Sequence, residues 1–153
     1  MALVEYLCNE TICMDLQPSK RDATIRVLLE LLVAAGKLPG AEFDAAVEVL
    51  LAREKLGSTA IGNGIAVPHA RMDGLDGVVI SLGLSRAGVE FSALDGLPTY
   101  QIFLVMASPD HNEEYLDAMS HISRLVQDED FRRFLSQAKD GHAVMALIEE
   151  MDT

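Results

Sequence analysis

The sequence predicts an α/β fold, a single-domain layered sandwich in which a mixed central β-sheet is flanked by helices on both faces. Helical periodicity marks two segments before residue 57 and the last third of the chain, whereas strand-like segments lie between them. Half of the 153 residues are apolar, which is enough for a core without disulfides. Helices that precede and follow the strands pack most simply on the two faces of one sheet.

The first third of the chain begins with a short strand or turn over residues 11–16, which we expect to end at Pro18. Ser19 is the predicted N-cap of the first helix, with Asp22 three residues on in a variant of the capping box. Gly36 ends this helix. Its apolar positions recur at helical spacing: Ile25, Leu28, Leu29 and Leu32.

A second helix is predicted over residues 41–54, after a turn at Pro39 and Gly40. Gly57 stops it. The side chains that we expect to face inward are Phe43, Val47, Leu50 and Leu51.

The middle of the chain is predicted to supply the strands. Residues 59–67 are extended and interrupted by glycines, and they lead to His69. Residues 78–84 form a strand with Ile80, Leu82 and Leu84 on one face. After a turn at residues 94–96, the continuous apolar run 99–107 is typical of a strand covered on both faces.

The last third is predicted to hold three helices. Each has apolar residues at helical spacing, and we expect the second to follow Asp128 and the third to open at Asp140 or Gly141. The apolar positions are Tyr115, Met119, Ile122 and Val126, then Phe131, Phe134 and Leu135, then Val144, Leu147, Ile148 and Met151.

Composition restricts the class of protein. A formal charge of −12 disfavours non-specific binding to nucleic acid or to anionic membranes. Residues 1–10 lack the basic start of a signal peptide, and no apolar run approaches the ~20 residues of a membrane span. Cys8 and Cys13 do not form a zinc pattern and are typical of reduced thiols. We therefore expect a soluble, cytoplasmic protein without membrane insertion.

His69 is the residue that most clearly predicts chemistry. It follows Pro68, whose ring fixes its own φ and biases Val67 toward an extended conformation. We therefore expect His69 where a strand opens into a turn. An imidazole has two nitrogens, so the backbone can hold one while the other attacks.

Other chemistries fit the sequence less well. The Gly62-x-Gly64 pair lacks the third glycine of a dinucleotide loop and the Gly-Lys-Ser/Thr of a Walker loop. No serine lies in a G-x-S-x-G turn, and no histidine pair has the spacing of a metal site. We expect no metal and no cofactor. For His111, His121 and His142 the default is a structural, capping or surface role.

Phosphoryl transfer to His69 fits better. A transferred phosphoryl group needs cations or N–H and O–H donors around its oxygens. The candidates are Arg53, Arg71, Ser58, Thr59 and the amides of the glycine loop, including Gly64. Arg53 is also open to a plainer interpretation, since a cation at a helix end complements the helix dipole.

Residues 53–71 (REKLGSTAIGNGIAVPHAR) closely resemble the signature of the fructose/mannitol/nitrogen-regulatory class of IIA components in the phosphoenolpyruvate-dependent phosphotransferase system. The similarity extends weakly over the whole chain. It implies that residues 1–153 form one IIA type-2 domain, a mixed sheet between helical layers. It also implies that His69 is phosphorylated on Nε2 by the phosphocarrier HPr or its nitrogen-branch counterpart, and that Arg53 helps hold the phosphoryl group.

One position departs from the family pattern. The family often has a second histidine, within a His-Leu pair, in the helix after the last strand. Here the pair is Tyr115-Leu116, and His111 lies four residues earlier. A tyrosine donates a hydrogen bond but carries no positive charge at neutral pH. Tyr115 therefore either supports the site or only packs on the helix face, and both remain open.

The resemblance leaves two outputs open. A nitrogen-regulatory protein would change its binding to a regulatory target when phosphorylated, because a phosphate adds about −1.5 to −2 charge. A fructose/mannitol IIA component would instead pass the phosphate to a separate IIB component of a sugar transporter. The departure at Tyr115 favours the regulatory output.

Overall fold

The computed structural model describes residues 2–17 and 19–152, so Pro18, where we expected the first strand to end, lies outside the described residues. The helices are α1 (Arg21–Ala34), α2 (Phe43–Leu56), α3 (Asn112–Gln127), α4 (Glu129–Gln137) and α5 (Gly141–Met151). The strands are β1 (Ile12–Cys13), β2 (Ala60–Gly62), β3 (Ile65–Ala66), β4 (His69–Arg71), β5 (Val78–Val89) and β6 (Thr99–Ala107). Short 3-10 turns occupy Leu3–Tyr6, Asn9–Thr11, Gly40–Glu42 and Pro109–His111.

The described strands form one mixed sheet. The long strands β5 and β6 pair antiparallel at its centre, and β1 joins β5 in parallel. On its other side β6 pairs in parallel with both β3 and β4, one after the other along its length. β2 pairs antiparallel with β3 at the outer edge. The prediction of a mixed central sheet is confirmed.

Two hydrophobic cores lie on opposite faces of this sheet. Phe103 and Val105 of β6 point toward α3, α4, α5 and the N-terminal turns, whereas Leu104 and Met106 point toward α1 and α2. Because successive side chains of a strand alternate, a strand covered on both faces must be apolar throughout. Residues 102–107 meet this condition, since all six are apolar and fully buried, and the prediction of helices on both faces is confirmed.

Ser19 does not cap α1, so that prediction is wrong. Lys20 precedes the helix, and its side chain makes no capping hydrogen bond. The segment instead pairs with the end of β5: Glu90 N donates to Ser19 O at 3.1 Å, and Arg21 N donates to Glu90 O at 3.0 Å. This pairing holds residues 19–21 alongside Glu90, so the helix begins after Lys20 and not after Ser19.

Two boundaries differ from the prediction for local reasons. The helix α2 begins at Phe43, because residues 40–42 form a 3-10 turn, and it continues to Leu56. The strand β5 passes the predicted end at Leu84 and reaches Val89, with a register shift between these two residues. Gly88 has φ +95°, a value that allows such an irregularity.

The last two of the three C-terminal helices begin where the sequence predicts. Asp128 caps α4 by accepting hydrogen bonds from Asp130 N and Phe131 N, and Asp140 caps α5 by accepting one from Ala143 N. Phe131 is fully buried, while Phe134 is exposed beneath the Arg133 guanidinium.

Candidate functional site

Strand β4 places His69 at an edge of the sheet. His69 lies opposite Val105 in the parallel pairing with β6, and Val105 N donates to Pro68 O at 2.9 Å. The prediction put His69 where a strand opens into a turn; the chain instead turns at residues 67–68, after β3, and His69 begins a new strand. His69 and Arg71 are two residues apart on a strand, so both face the layer that contains α3.

The backbone holds one nitrogen of the His69 imidazole. Nδ1 lies 2.7 Å from Val67 O. A carbonyl oxygen only accepts hydrogen bonds, so Nδ1 carries the proton in this contact. The lone pair of the neutral ring then resides on Nε2, and the half-buried ring keeps access to solvent. This is the arrangement that a nucleophilic imidazole requires.

Tyr115 lies beside this ring from the first turn of α3. The two ring centroids are 6.4 Å apart, and the ring planes are tilted by 43°. Burial raises the pKa of the Tyr115 phenol, while the charges of Arg71 and, to a smaller extent, Arg53 lower it. Since the balance lies above the ordinary value of 10.0, Tyr115 is a neutral hydroxyl at physiological pH.

Arg71 places a positive charge against the same phenol. Its guanidinium carbon lies 5.6 Å from the centroid of the Tyr115 ring, a cation–π contact. Its Nη1 donates a very close hydrogen bond to the side-chain oxygen of Asn112, at the start of α3. These contacts orient an otherwise exposed side chain toward the edge where His69 lies.

Arg53 approaches from the layer on the other face. It lies in the last turn of α2, where its Nη1 donates to Gly57 O at 2.8 Å. Its charge reaches the Tyr115 phenol. The structure brings His69, Tyr115 and Arg71 together at one sheet edge. Arg53 acts on the same phenol through its charge, while its side chain is hydrogen-bonded to Gly57 O.

The hydroxyls of Ser58 and Thr59 take part in structural hydrogen bonds. Ser58 Oγ donates to Phe91 O at 3.3 Å and accepts from Ala60 N at 3.0 Å. Thr59 is 5% exposed, and its hydroxyl donates a very close hydrogen bond to the Glu54 carboxylate. Both hydroxyls are engaged away from the imidazole.

Gly64 lies apart from the imidazole, and His111 contacts a different partner, Ser108. Gly64 O accepts hydrogen bonds from Tyr100 N and Gln101 N. Position 101 is four residues along β6 from Val105, the partner of His69, which is a separation of about 13 Å. The His111 Nδ1 lies 2.6 Å from Ser108 Oγ, next to the start of α3.

Sequence reasoning missed two groups of this site. The Val67 carbonyl holds the imidazole, and the Asn112 side chain holds Arg71. From the sequence we expected the backbone to hold one imidazole nitrogen, but the sequence did not identify which carbonyl does so. No sequence signal joined Asn112 to Arg71, because the contact spans 41 residues and depends on where α3 starts.

None of the helices in the described part of the chain combines the length and apolar composition needed to cross a bilayer. Cys8 and Cys13 are free.

Comparison with known proteins identifies similar sequences in two functional groups. The chain is 33% identical to the fructose-specific EIIABC component of the phosphotransferase system of Bacillus subtilis over 99% of its own length, but spans only 24% of that protein. It is 30% identical to a nitrogen regulatory protein of Bradyrhizobium diazoefficiens, covering 97% of this chain and 95% of the relative.

Solved structures share the fold. The nitrogen regulatory protein IIA-Ntr of Neisseria meningitidis superposes with a TM-score of 0.86 at 27% identity, covering 95% of this chain and 98% of that one. The Escherichia coli mannitol IIA enzyme, solved in complex with phosphorylated mannitol IIB, has a TM-score of 0.77 at 22% identity, covering 94% and 97%. At that identity the second likeness shows the fold alone.

The family described as "Phosphoenolpyruvate-dependent sugar phosphotransferase system, EIIA 2" matches residues 5–151. That span includes every strand and helix described above, the three residues brought together at the sheet edge, and Arg53. The chain therefore belongs to the EIIA 2 family of the phosphoenolpyruvate-dependent phosphotransferase system.

Proposed function

We propose that His69 accepts a phosphoryl group from the phosphohistidine of HPr or its nitrogen-branch counterpart. The observation that carries this proposal is the hydrogen bond from Nδ1 to Val67 O, which leaves Nε2 as the nitrogen with the lone pair. In this step Nε2 forms a bond to phosphorus as the bond between phosphorus and the donor imidazole breaks. The donor ring leaves with the electron pair, and His69 keeps the proton on Nδ1.

The arginines stabilise the group in transfer. A phosphoryl group in flight carries its charge on three equatorial oxygens, so cations around it lower the barrier. Arg53 is the residue that the family resemblance assigns to this role, and Arg71 is held beside Tyr115 at the same edge. Tyr115, a neutral hydroxyl, offers a hydrogen-bond donor without a charge.

The test is incubation with phosphoenolpyruvate, enzyme I and HPr, followed by mass spectrometry of the intact protein. We expect an acid-labile gain of one phosphoryl group in the wild type and none in His69→Ala. His121→Ala is a matched control, because His121 lies in α3 and is hydrogen-bonded to Asp152, not to a residue of the sheet edge. If His69→Ala still accepted the phosphoryl group, the assignment would be wrong.

A nitrogen-regulatory output is the form of this function that we favour. The Bradyrhizobium regulatory relative aligns along nearly its whole length, and the Neisseria IIA-Ntr structure superposes closely. Tyr115 supports the same choice, since the site lacks the second histidine that we associate with onward transfer. In this proposal residues 1–153 act as one domain in the cytoplasm, and phosphorylation changes the affinity for a target protein.

Transfer to a separate IIB component is the alternative, favoured by the fructose-specific relative in Bacillus. Two measurements separate the outputs. Purified phosphorylated protein is mixed with a fructose or mannitol IIB domain, and loss of phosphate from His69 would support transport. A pull-down with phosphorylated and unphosphorylated protein should differ in its captured partners if the output is regulatory; identical partner sets would count against regulation.

A further inference from the structure

Glu54 is a buried carboxylate that the proposed reaction does not use. It is 3% exposed and lies in the last turn of α2, next to Arg53. The C-terminal end of a helix is its negative end, so a carboxylate is unfavourable there, and burial adds a desolvation cost. The Glu54 carboxylate therefore needs hydrogen bonds that offset the helix dipole and the loss of hydration.

Thr59 supplies two of these bonds. Its backbone N donates to Glu54 Oε2 at 3.1 Å, and its hydroxyl donates to Oε1 at very close range. Thr59 is itself buried, at 5% exposure. The carboxylate therefore fixes both the backbone and the side chain of Thr59 immediately before β2.

The contacts continue from Thr59 to the imidazole. Val67 N donates to Thr59 O at 3.3 Å, and His69 Nδ1 donates to Val67 O at 2.7 Å. Three links in series thus join the Glu54 carboxylate to the ring. The position of the Val67 carbonyl, which selects the Nδ1–H tautomer, depends on where Glu54 holds Thr59.

The same short segment also holds Arg53. Arg53 Nη1 donates to Gly57 O at 2.8 Å, two residues before Thr59. Two adjacent side chains of α2, Arg53 and Glu54, therefore both hold residues 57–59. A shift of this segment would move the Arg53 guanidinium and the Val67 carbonyl together.

We infer that Glu54 is a positioning residue for His69: through Thr59 and Val67 it holds the imidazole with Nδ1 protonated and Nε2 free. It does not touch the phosphoryl group. The inference rests on the proposed function in one respect: the orientation of the imidazole affects phosphoryl transfer only if Nε2 is the acceptor. Its structural content, the tautomer of His69, can be measured without any phosphoryl transfer.

The experiment is a long-range ¹H–¹⁵N NMR spectrum of the imidazoles at about pH 9, where an ordinary histidine is neutral. We expect His69 of the wild type to be mainly the Nδ1–H tautomer. In Glu54→Gln one of the two acceptor oxygens becomes an NH2, so the Thr59 hydroxyl must accept where it now donates, and the very close charge-assisted hydrogen bond becomes a longer neutral one. Thr59 therefore shifts. We expect His69 of this variant to become a mixture of tautomers, and the variant's initial rate of phosphorylation by phospho-HPr to fall roughly tenfold.

Thr59 provides a milder second test if Glu54→Gln folds poorly. Thr59→Val removes the hydroxyl but keeps the shape, and we expect an intermediate change in tautomer. Thr59→Ser keeps the hydroxyl and should restore the wild-type spectrum. Asp152→Asn is the matched control: its carboxylate is also buried and accepts from a backbone N–H, that of Leu3, but has no link to His69.

An unchanged His69 tautomer in folded Glu54→Gln and Thr59→Val would overturn the inference. So would an equal change in Asp152→Asn, which would mean that any loss of a buried carboxylate disturbs the ring. If the tautomer responds as expected but the wild type accepts no phosphoryl group from phospho-HPr, the positioning role holds and the proposed function fails.

Discussion

At the scale of single residues, the neutral phenol of Tyr115 beside His69 is the feature that most distinguishes this site. Tyr115 is 6% exposed, which favours its uncharged form, and its neighbours Arg71 and Arg53 oppose that effect without overcoming it. The site thus combines permanent cations with a donor that does not titrate near neutral pH. The phenol therefore stays protonated when the pH changes between about 6 and 9.

The first prediction concerns the titration of Tyr115. Removing the charge of Arg71 in Arg71→Gln should raise the pKa of Tyr115 further, because that guanidinium now stabilises the phenolate. Arg53→Gln should raise it by less, since the charge of Arg53 acts more weakly. The titration is followed by NMR of ¹³Cζ-labelled tyrosine. Arg86→Gln, which alters an exposed cation on β5, is the control, and a larger effect from Arg53 than from Arg71 would contradict the prediction.

The second prediction is a pH dependence of stability. The pKa of Tyr115 is raised on folding, so between 10.0 and that raised value the native state keeps a proton that the unfolded state has lost. Stability must therefore fall as pH rises through this window. Tyr115→Phe should show a smaller fall, measured as the free energy of unfolding in urea between pH 9 and pH 11. Tyr100→Phe serves as the comparison because Tyr100 is 41% exposed.

At the scale of elements, the hairpin β2–β3 determines how the chain reaches His69. Asn63 and Gly64 both have positive φ, +59° and +73°, as a two-residue type I′ turn requires. Gly64 also lies against Tyr100: an added Cβ would come within 2.9 Å of that ring. The glycine is thus needed for the backbone conformation and for the close approach.

The third prediction separates these two requirements with a matched pair. Gly96 has φ +74°, almost that of Gly64, but nothing within 4 Å of an added Cβ. Gly96→Ala should cost about 1–2 kcal/mol from backbone strain alone. Gly64→Ala should cost about 1 kcal/mol more, because the Tyr100 ring must move. Both are measured by urea unfolding, and adding Tyr100→Ala should remove the difference; equal costs in the single variants would show that the ring contact is unimportant.

How well the sequence predicted each element depended on how local its cause is. The strand β6, the start of α4 after Asp128 and the start of α5 at Asp140 or Gly141 depend on neighbours in sequence, and they were predicted correctly. Ser19 failed as a cap because Glu90, 71 positions away, pairs with the segment. At the site, His69 and Arg53 could be named from the signature, but the partners of Arg71 and of the imidazole depend on tertiary packing.

At the scale of the whole molecule, we expect repulsion from the net charge to oppose folding more than the ion pairs support it. The chain carries −12 at pH 7. Among the described residues, the ion pairs between arginine and carboxylate are Arg21–Asp22 and Arg133–Asp130, both with exposed acids. Exposed pairs contribute about 0–1 kcal/mol each. Repulsion among the excess carboxylates should therefore be the larger of the two effects.

The last prediction follows from that imbalance. Raising the ionic strength from about 0.01 M to 0.15 M shortens the screening length from about 30 Å to 8 Å, which weakens repulsion across the molecule. The midpoint of thermal unfolding should rise by roughly 2–4 °C, which for a chain of this size corresponds to about 1 kcal/mol. Sodium chloride and choline chloride should act alike, because screening does not depend on the identity of the cation. A midpoint that fell with salt would mean that attractive pairs dominate, and a rise with only one cation would indicate specific binding instead of screening.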